Sequence, residues 1–135
     1  MAETAHVFLQ GNDLEPRFTA LEQGACFTIA ETGFGTGLNL LAAWALFERT
    51  APQDAKLHFI SFEKFPLEVE QIVDALTPWD GQLDDYTRAM CEAYSAQGGT
   101  FALNDRITLT LHIGDVNDVL PTMDFTADAW FLDGF

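Results

Sequence analysis

The sequence predicts an α/β fold, a Rossmann-like parallel sheet with helices on both faces. Short apolar runs alternate with helical segments, a glycine-rich stretch separates one such run from a helix, and the predicted sheet strands end in acidic residues. Strands that alternate with helices are typical of parallel sheets joined by right-handed crossovers. The length of 135 residues suits one domain, residues 1–135.

Residues 1–24 form an N-terminal extension before the first predicted sheet strand. In this extension, HVFLQ predicts a short strand, Gly11-Asn12-Asp13 a turn, and LEPRF a brief helix. The run CFTIAE then predicts a buried strand, and residues 36–49 predict a helix that is apolar nearly all round. The run KLHFISFE predicts a second buried strand.

The second half of the chain predicts further helices and two more strands. Pro66 favours the start of a helix, and after a break at residues 77–81 a second helix ends at Gly98-Gly99. The stretch RITLTLHIGD alternates strictly and predicts a strand near a sheet edge, whereas DAWFLDGF is continuously apolar, as a central parallel strand should be. The apolar faces of the two helices are Val69, Ile72, Val73 and Leu76, and then Leu83, Tyr86, Met90 and Tyr94.

Composition and charge exclude several classes of protein. No apolar run is long enough to cross a bilayer, so a cytoplasmic protein without a membrane partner is predicted. The formal charge of −15 and six dispersed basic residues oppose direct binding of nucleic acid. Cys26 and Cys91 are interpreted as reduced, buried packing residues, and the three histidines show no ligand spacing, so no metal site is predicted.

The stretch IAETGFGTGLNLL predicts a ligand site. It lacks the Lys and Ser/Thr of a phosphate-binding P-loop, and Leu38 stands where a dinucleotide fingerprint requires its third glycine. Glu31, two residues before Gly33, would repel a pyrophosphate but would suit an ammonium or sulfonium group. These features disfavour a nicotinamide-linked oxidoreductase and favour S-adenosylmethionine.

Two later strand ends complete this prediction. Glu63 follows Gly33 by 30 residues and can accept from both ribose hydroxyls, with Lys64 and Phe65 flanking the adenine. Asp115 can accept from the adenine amino group. The alternatives are a tight turn for the glycines and strand-end or helix-capping roles for the acids; Asp115, before VNDVL, fits a helix N-cap equally well.

Four stretches carry a family resemblance: HVFLQGNDLEPRF, AETGFGTGLNLL, LHFISFEKFPL and LTLHIGDVNDVLP…DAWFLDGF. They resemble the methyltransferase half of the bifunctional tRNA 5-methylaminomethyl-2-thiouridine biosynthesis proteins. The resemblance covers almost the whole chain except about residues 77–101. It implies a class I methyltransferase fold that uses S-adenosylmethionine to methylate the aminomethyl group on the wobble uridine of tRNA.

The resemblance also implies roles for individual residues. Asp133 of FLDGF falls at the catalytic position, where a carboxylate can orient the substrate amine and take its proton; the alternative is that Asp133 only caps the loop after its strand. With Lys64 and Phe65 from the preceding argument, the expected cofactor-binding residues are Glu31, Gly33, Phe34, Gly35, Gly37, Asn39, Glu63, Lys64, Phe65, Gly114 and Asp115.

Partners and extent follow from the same resemblance. It implies tRNA as substrate, although the charge of the chain does not support this, and an FAD-dependent oxidase partner; no stretch resembles that oxidase, so no FAD is expected here. The family continues past LDGF, which implies a fragment truncated after the fourth sheet strand. An uncovered DAWFLDGF strand predicts self-association through that edge. Two functions remain as alternatives: a non-catalytic cofactor-binding or interaction module, and a methyltransferase for a small amine or protein.

Overall fold

The computed structural model describes residues 8–76 and 84–132, and the secondary structure alternates as the sequence predicts. The strands are β1 (Cys26–Thr32), β2 (Lys56–Glu63), β3 (Gly99–Ala102), β4 (Ile107–Ile113) and β5 (Ala129–Leu132). The helices are α1 (Leu14–Thr19), α2 (Leu38–Thr50), α3 (Val69–Leu76), α4 (Asp84–Ala93) and α5 (Val116–Val119), and a 3₁₀ helix (Leu120–Thr122) follows α5.

The five strands form one sheet in the order β3-β4-β2-β1-β5. All neighbours among β4, β2, β1 and β5 are parallel, whereas β3 pairs antiparallel with β4. The four predicted sheet strands are confirmed. The sequence does not predict β3 because its four residues include one large apolar side chain, Phe101. Strand β4 lies one position from the edge, as expected, while β5 is the end strand among those described rather than a central one.

The two faces of the sheet differ in burial. One face presents Ile29, Phe59, Leu109 and Phe131, all fully buried in the main core with residues of α1, α2 and α4. The other face carries the buried Ile60 and Phe62 together with polar side chains such as the half-buried Thr28 and His58. There a cavity of about 450 Å³ is lined by Trp130 and Leu132 of β5 and by Val116 and Leu120 of the α5 region. The longer helices therefore pack on one face, whereas only α5 and the 3₁₀ helix border the other face, beside β5.

The N-terminal extension differs from its prediction in one respect. Residues 8–11 are helical, not a strand, whereas the turn and helix α1 occur as expected. The reason is local packing: the Asn12 side chain donates to the Phe8 carbonyl oxygen at 3.0 Å, and the Phe8 ring stacks on Phe131 at 5.1 Å. Phe18 of α1 packs edge-on against Phe27 and Phe47, which joins the extension to the core.

Helix α3 and Cys26 also depart from expectation. The helix begins at Val69 rather than at Pro66, because the Gln71 side chain accepts from the Glu68 backbone N–H at 2.8 Å and so caps the helix there. Cys26 is exposed, since it is the first residue of β1 and precedes the buried part of that strand. The predicted break at residues 77–81 and the position of Leu83 lie outside the described residues.

Arg106, just before β4, contacts two segments that are distant from it in sequence, the end of α2 and the turn before β2. Its guanidinium donates to the Pro52 and Ala55 carbonyl oxygens at 2.7 and 3.1 Å and to the Glu48 carboxylate at 3.1 Å. The same group lies 5.0 Å from the centre of the Phe47 ring. One planar cation therefore links the end of α2, the turn before β2 and the start of β4.

Candidate functional site

The glycine loop, residues 33–37, joins β1 to α2 at the carboxyl edge of the sheet. Gly33, Gly35 and Gly37 have φ angles of 84°, 57° and 83°, which residues with a Cβ rarely adopt. The Gly33 N–H donates to the Phe62 carbonyl oxygen at 2.7 Å, so the loop begins beside the end of β2. A Cβ on Gly35 would meet no atom within 4 Å. The loop thus borders open space at Gly35, where a ligand has room.

Glu31 lies beneath this loop and is fully buried. Its carboxylate accepts from the Ser61 hydroxyl at 2.9 Å and from the Asn39 side-chain amide at 3.2 Å. Ser61 stands opposite Glu31 in the β1–β2 register, and Asn39 lies in the first turn of α2. Two neutral donors from two different elements therefore fix the orientation of a buried acid next to the glycines.

Glu63, the last residue of β2, contacts the loop directly. One carboxylate oxygen accepts from the Gly35 N–H at 2.8 Å, and the other accepts from the Phe65 N–H at 3.1 Å. The Glu63 carbonyl oxygen accepts from Gly114 N–H at 2.8 Å, just past β4. The ends of three strands, distant in sequence, thus meet around Glu63, through its carboxylate and its backbone carbonyl.

Asp115 is the N-cap residue of α5, which is the alternative role that the sequence suggested for it. Its carboxylate accepts from the Asn117 N–H at 2.9 Å. It also lies 3.7 Å from the Lys64 ammonium, an exposed pair that contributes little stability. The Lys64 ammonium lies 5.5 Å from the centre of the Phe65 ring, and that ring is 76% exposed. A large apolar side chain is therefore accessible beside Glu63.

Phe34 differs from the other predicted loop residues because its side chain is buried in the protein. Its ring stacks on Tyr94 with a centroid distance of 5.6 Å. Only its backbone remains to contact a ligand. Asp133 lies outside the described residues; the strand before it, β5, pairs Leu132 with Thr32 at the same edge of the sheet.

Two residues near the site were missed from the sequence. Ser61 carries a signal, because it is the one polar residue within the apolar run FISF and it faces Glu31. Tyr94 carries none beyond its place on an apolar helical face. The polar chemistry that is assembled here comprises backbone amides, two strand-end carboxylates and a capping aspartate. This set suits a ligand with a cationic amino acid end and a ribose, and the glycine loop, residues 33–37, carries no phosphate-binding lysine.

Comparison with known proteins bears on the whole chain. Residues 81–135 match the family described as S-adenosyl-L-methionine-dependent methyltransferase. A tRNA 5-methylaminomethyl-2-thiouridine biosynthesis bifunctional protein, MnmC, from Chromobacterium violaceum is 51% identical over 100% of this chain and 21% of its own length. The protein of the same name from Stutzerimonas stutzeri is 50% identical with the same coverage. The chain therefore spans about a fifth of the length of these relatives.

A solved structure agrees with the fold. The crystal structure of MNMC2 from Aquifex aeolicus matches with a TM-score of 0.62 and 20% identity, covering 95% of this chain and 37% of that one. The predicted resemblance to the methyltransferase half of the bifunctional proteins is confirmed, and so is the α/β fold. The family description names S-adenosylmethionine, the cofactor predicted from the glycine loop. No helix in the described residues could span a membrane.

Proposed function

We propose that this chain is the cofactor-binding part of an S-adenosylmethionine-dependent methyltransferase that acts on the aminomethyl group of the tRNA wobble uridine. The main structural support for this proposal is the hydrogen bond from the Gly35 N–H to the Glu63 carboxylate. It joins a glycine loop to the acid that would hold a ribose, at the carboxyl edge where such sheets bind ligands. The relatives named for this tRNA modification support the substrate.

The residues fit the cofactor. Glu31 stabilises the ammonium end, the backbone from Gly33 to Gly37 lies against the amino acid tail, and Glu63 accepts from the ribose hydroxyls. Phe65 provides an apolar surface for the adenine, and Lys64, Gly114 and Asp115 line its edge. The open space at Gly35 and the buried orientation of Glu31 are the observations that favour this fit.

The chemistry requires little of the protein beyond positioning. The cofactor, when bound, supplies a methyl group on a sulfonium, and the sulfur leaves as a thioether when the substrate nitrogen attacks. Asp133 orients the amine by a hydrogen bond and takes the proton that the nitrogen loses. Alignment of the nitrogen with the methyl carbon provides most of the acceleration.

The charge of the chain favours a second candidate substrate, a small amine or a protein. With 21 acidic against six basic residues, the chain alone attracts polyanions poorly. For tRNA, basic surface would come from the rest of the longer protein that the relatives represent. We further propose an FAD-dependent oxidase as partner, which agrees with the word bifunctional in the names of these relatives, and a cytoplasmic location.

Calorimetry with S-adenosylhomocysteine and transfer of labelled methyl groups test the proposal. The chain should bind S-adenosylhomocysteine, and protein that retains the rest of the methyltransferase half should methylate tRNA bearing aminomethyl-uridine. Asp133→Asn should keep the affinity and lose the transfer. Absence of binding would refute the cofactor site; transfer to a small amine or protein but not to tRNA would favour the second candidate. Binding without transfer to any of the three acceptors would leave the non-catalytic cofactor-binding module as the better description.

A further inference from the structure

Tyr94 lies beneath both loops of the cofactor site. It directly follows α4, and its backbone N–H donates to the Met90 carbonyl oxygen at 2.8 Å, which continues the helical turn. Met90 and Tyr94 are thus one turn apart on the same side of the helix. Both side chains are buried in the core.

The first contact of this pair is with the glycine loop. The Tyr94 ring stacks on Phe34 at an interplanar angle of 13°, and Phe34 stands between two glycines of the loop. A Cβ on Gly37 would lie 2.6 Å from the Met90 sulfur, so the loop backbone rests directly on Met90. Helix α4, through Met90, and the residue that follows it, Tyr94, therefore contact the loop at two points.

The second contact is with the segment after β2. The Tyr94 hydroxyl donates to the Leu67 carbonyl oxygen at 2.6 Å, and residues 64–67 directly follow Glu63. Burial raises the pKa of the Tyr94 phenol, and the carboxylates of Glu63 and Glu68 raise it further. The hydroxyl therefore keeps its proton and remains a donor at neutral pH.

We propose that Tyr94 is a positioning residue that sets the spacing of the two cofactor loops, its ring holding residues 33–37 and its hydroxyl holding residues 64–67. The inference rests on the proposed function for the identity of the ligand. The Glu63 carboxylate also joins these two loops, because it accepts from the Gly35 N–H and from the Phe65 N–H. Tyr94 and Glu63 thus form two separate links that fix the distance between the loops before the ligand arrives, which lowers the entropic cost of binding.

A pair of phenylalanine substitutions separates the hydroxyl from the ring. Tyr94→Phe keeps the stacking on Phe34 and loses only the bond to Leu67, so S-adenosylhomocysteine should bind about five-fold more weakly, the equivalent of one neutral hydrogen bond. Tyr86→Phe is the matched control, because Tyr86 lies on the same helix but packs on Trp44 at 4.8 Å; its affinity should stay within about two-fold of wild type. In methyl transfer, KM for the cofactor should rise while kcat is unchanged.

Amide hydrogen exchange of the cofactor-free protein provides a readout that does not depend on the ligand. Tyr94→Phe should accelerate exchange at Phe65 and Glu68 by about five-fold and leave Gly33 and Gly37 near wild type, because the loop at residues 64–67 alone is released. Tyr94→Leu, which also removes the stacking, should accelerate all four. Tyr86→Phe should accelerate none.

The outcomes separate this inference from the proposed function. If wild-type protein fails to bind S-adenosylhomocysteine, the proposed function fails, and the exchange pattern still decides whether Tyr94 sets the loops. Equal affinity of Tyr94→Phe and wild type would overturn the inference, as would unchanged exchange at Phe65 and Glu68. Acceleration spread evenly over the whole chain would overturn it too, since it would indicate a general loss of stability.

Discussion

The carboxylate of Glu63 bridges the amides of Gly35 and Phe65, at 2.8 and 3.1 Å. One acid at the end of β2 thus organises the glycine loop and its own following segment. A ribose bound here would share its acceptor with these two backbone donors, so ligand binding and loop conformation depend on the same charge.

Glu63→Gln should weaken S-adenosylhomocysteine binding by about 10- to 100-fold, the range expected for hydrogen bonds to a charged group. Glutamine keeps one oxygen for the Gly35 N–H, so the protein should still fold. Glu70→Gln, an exposed acid on α3, removes the same charge away from the site and controls for net charge. Titration calorimetry compares the two variants; indistinguishable affinities would exclude Glu63 from the ribose site.

Gly37→Ala should lower the free energy of unfolding by about 1–3 kcal/mol, from the positive φ angle and contacts below 3 Å with Met90 and Phe34. Gly35→Ala meets no neighbouring atom and should cost only the backbone strain, about 1 kcal/mol, yet it should impair ligand binding by occupying the open space. Urea unfolding measures both. Equal destabilisation of the two variants would contradict the close packing at Gly37.

Arg106→Lys should lower the free energy of unfolding by about 1–3 kcal/mol, because an ammonium cannot serve Glu48, Pro52 and Ala55 together. Arg88→Lys is the control. Arg88 pairs with Asp85 in solvent, with side chains 69% and 91% exposed. The free energy of unfolding of Arg88→Lys should therefore stay within about 0.5 kcal/mol of the wild-type value. Chemical denaturation under identical conditions measures the free energy of unfolding of both variants. Similar losses for the two variants would show that the guanidinium hydrogen bonds of Arg106 do not stabilise the protein.

His58 predicts a dependence of stability on pH. Burial lowers its pKa from the ordinary value of 6.5, and its ring nitrogen hydrogen-bonds Thr110 at 2.8 Å. As pH falls through 6.5, the unfolded chain takes up this proton before the native protein does, so the free energy of unfolding decreases. His58→Gln should reduce that slope below about pH 6.5 and leave the slope at pH 7.5–9 unchanged. Thermal unfolding measured across both pH ranges tests this prediction. If stability falls with pH as steeply in His58→Gln as in wild type below about pH 6.5, the prediction is wrong.

The outer edge of β5 predicts self-association. No strand in the described part of the chain pairs with that edge, and Leu132 is 62% exposed. We expect the isolated chain to form dimers through this edge, and Leu132→Lys to shift them toward monomer because a charge resists burial in the contact. Sedimentation equilibrium over a range of concentrations measures both proteins. Wild-type protein that stays monomeric throughout would refute the expectation.

The sheet and the glycine loop could be predicted because their signals are local. The apolar run from Phe27, the three glycines and the acid at position 63 each predict their own element, and parallel topology then brings the strand ends together. Strand β3 could not be predicted, because two of its four residues, a glycine and an alanine, have little strand propensity and its backbone hydrogen bonds to β4 stabilise it. The start of α3 was misplaced because a side-chain cap from Gln71 outweighed the preference of Pro66 for the first turn.

Contacts between distant segments limited the prediction of the site. The sequence did not indicate that the Asn39 amide donates to Glu31 or that the Phe34 ring is buried against Tyr94. Neither relationship leaves a trace in the order of residues, because each depends on how α2 and α4 lie against the loop. Asp115 shows the same limit, since one carboxylate can cap a helix and still face a neighbouring lysine.

The parallel register has a consequence for how the chain acquires its structure. Cys26 pairs with Lys56, and Ile29 pairs with Ala129. Each of these parallel pairs requires the long intervening chain to close into a loop, and this loss of chain entropy precedes the favourable free energy of strand pairing. Proteins rich in such non-local pairings fold slowly. The site forms only when its strands have assembled, so a ligand that binds it would act after the folding barrier has been crossed. It would prolong the lifetime of the native state without hastening its formation.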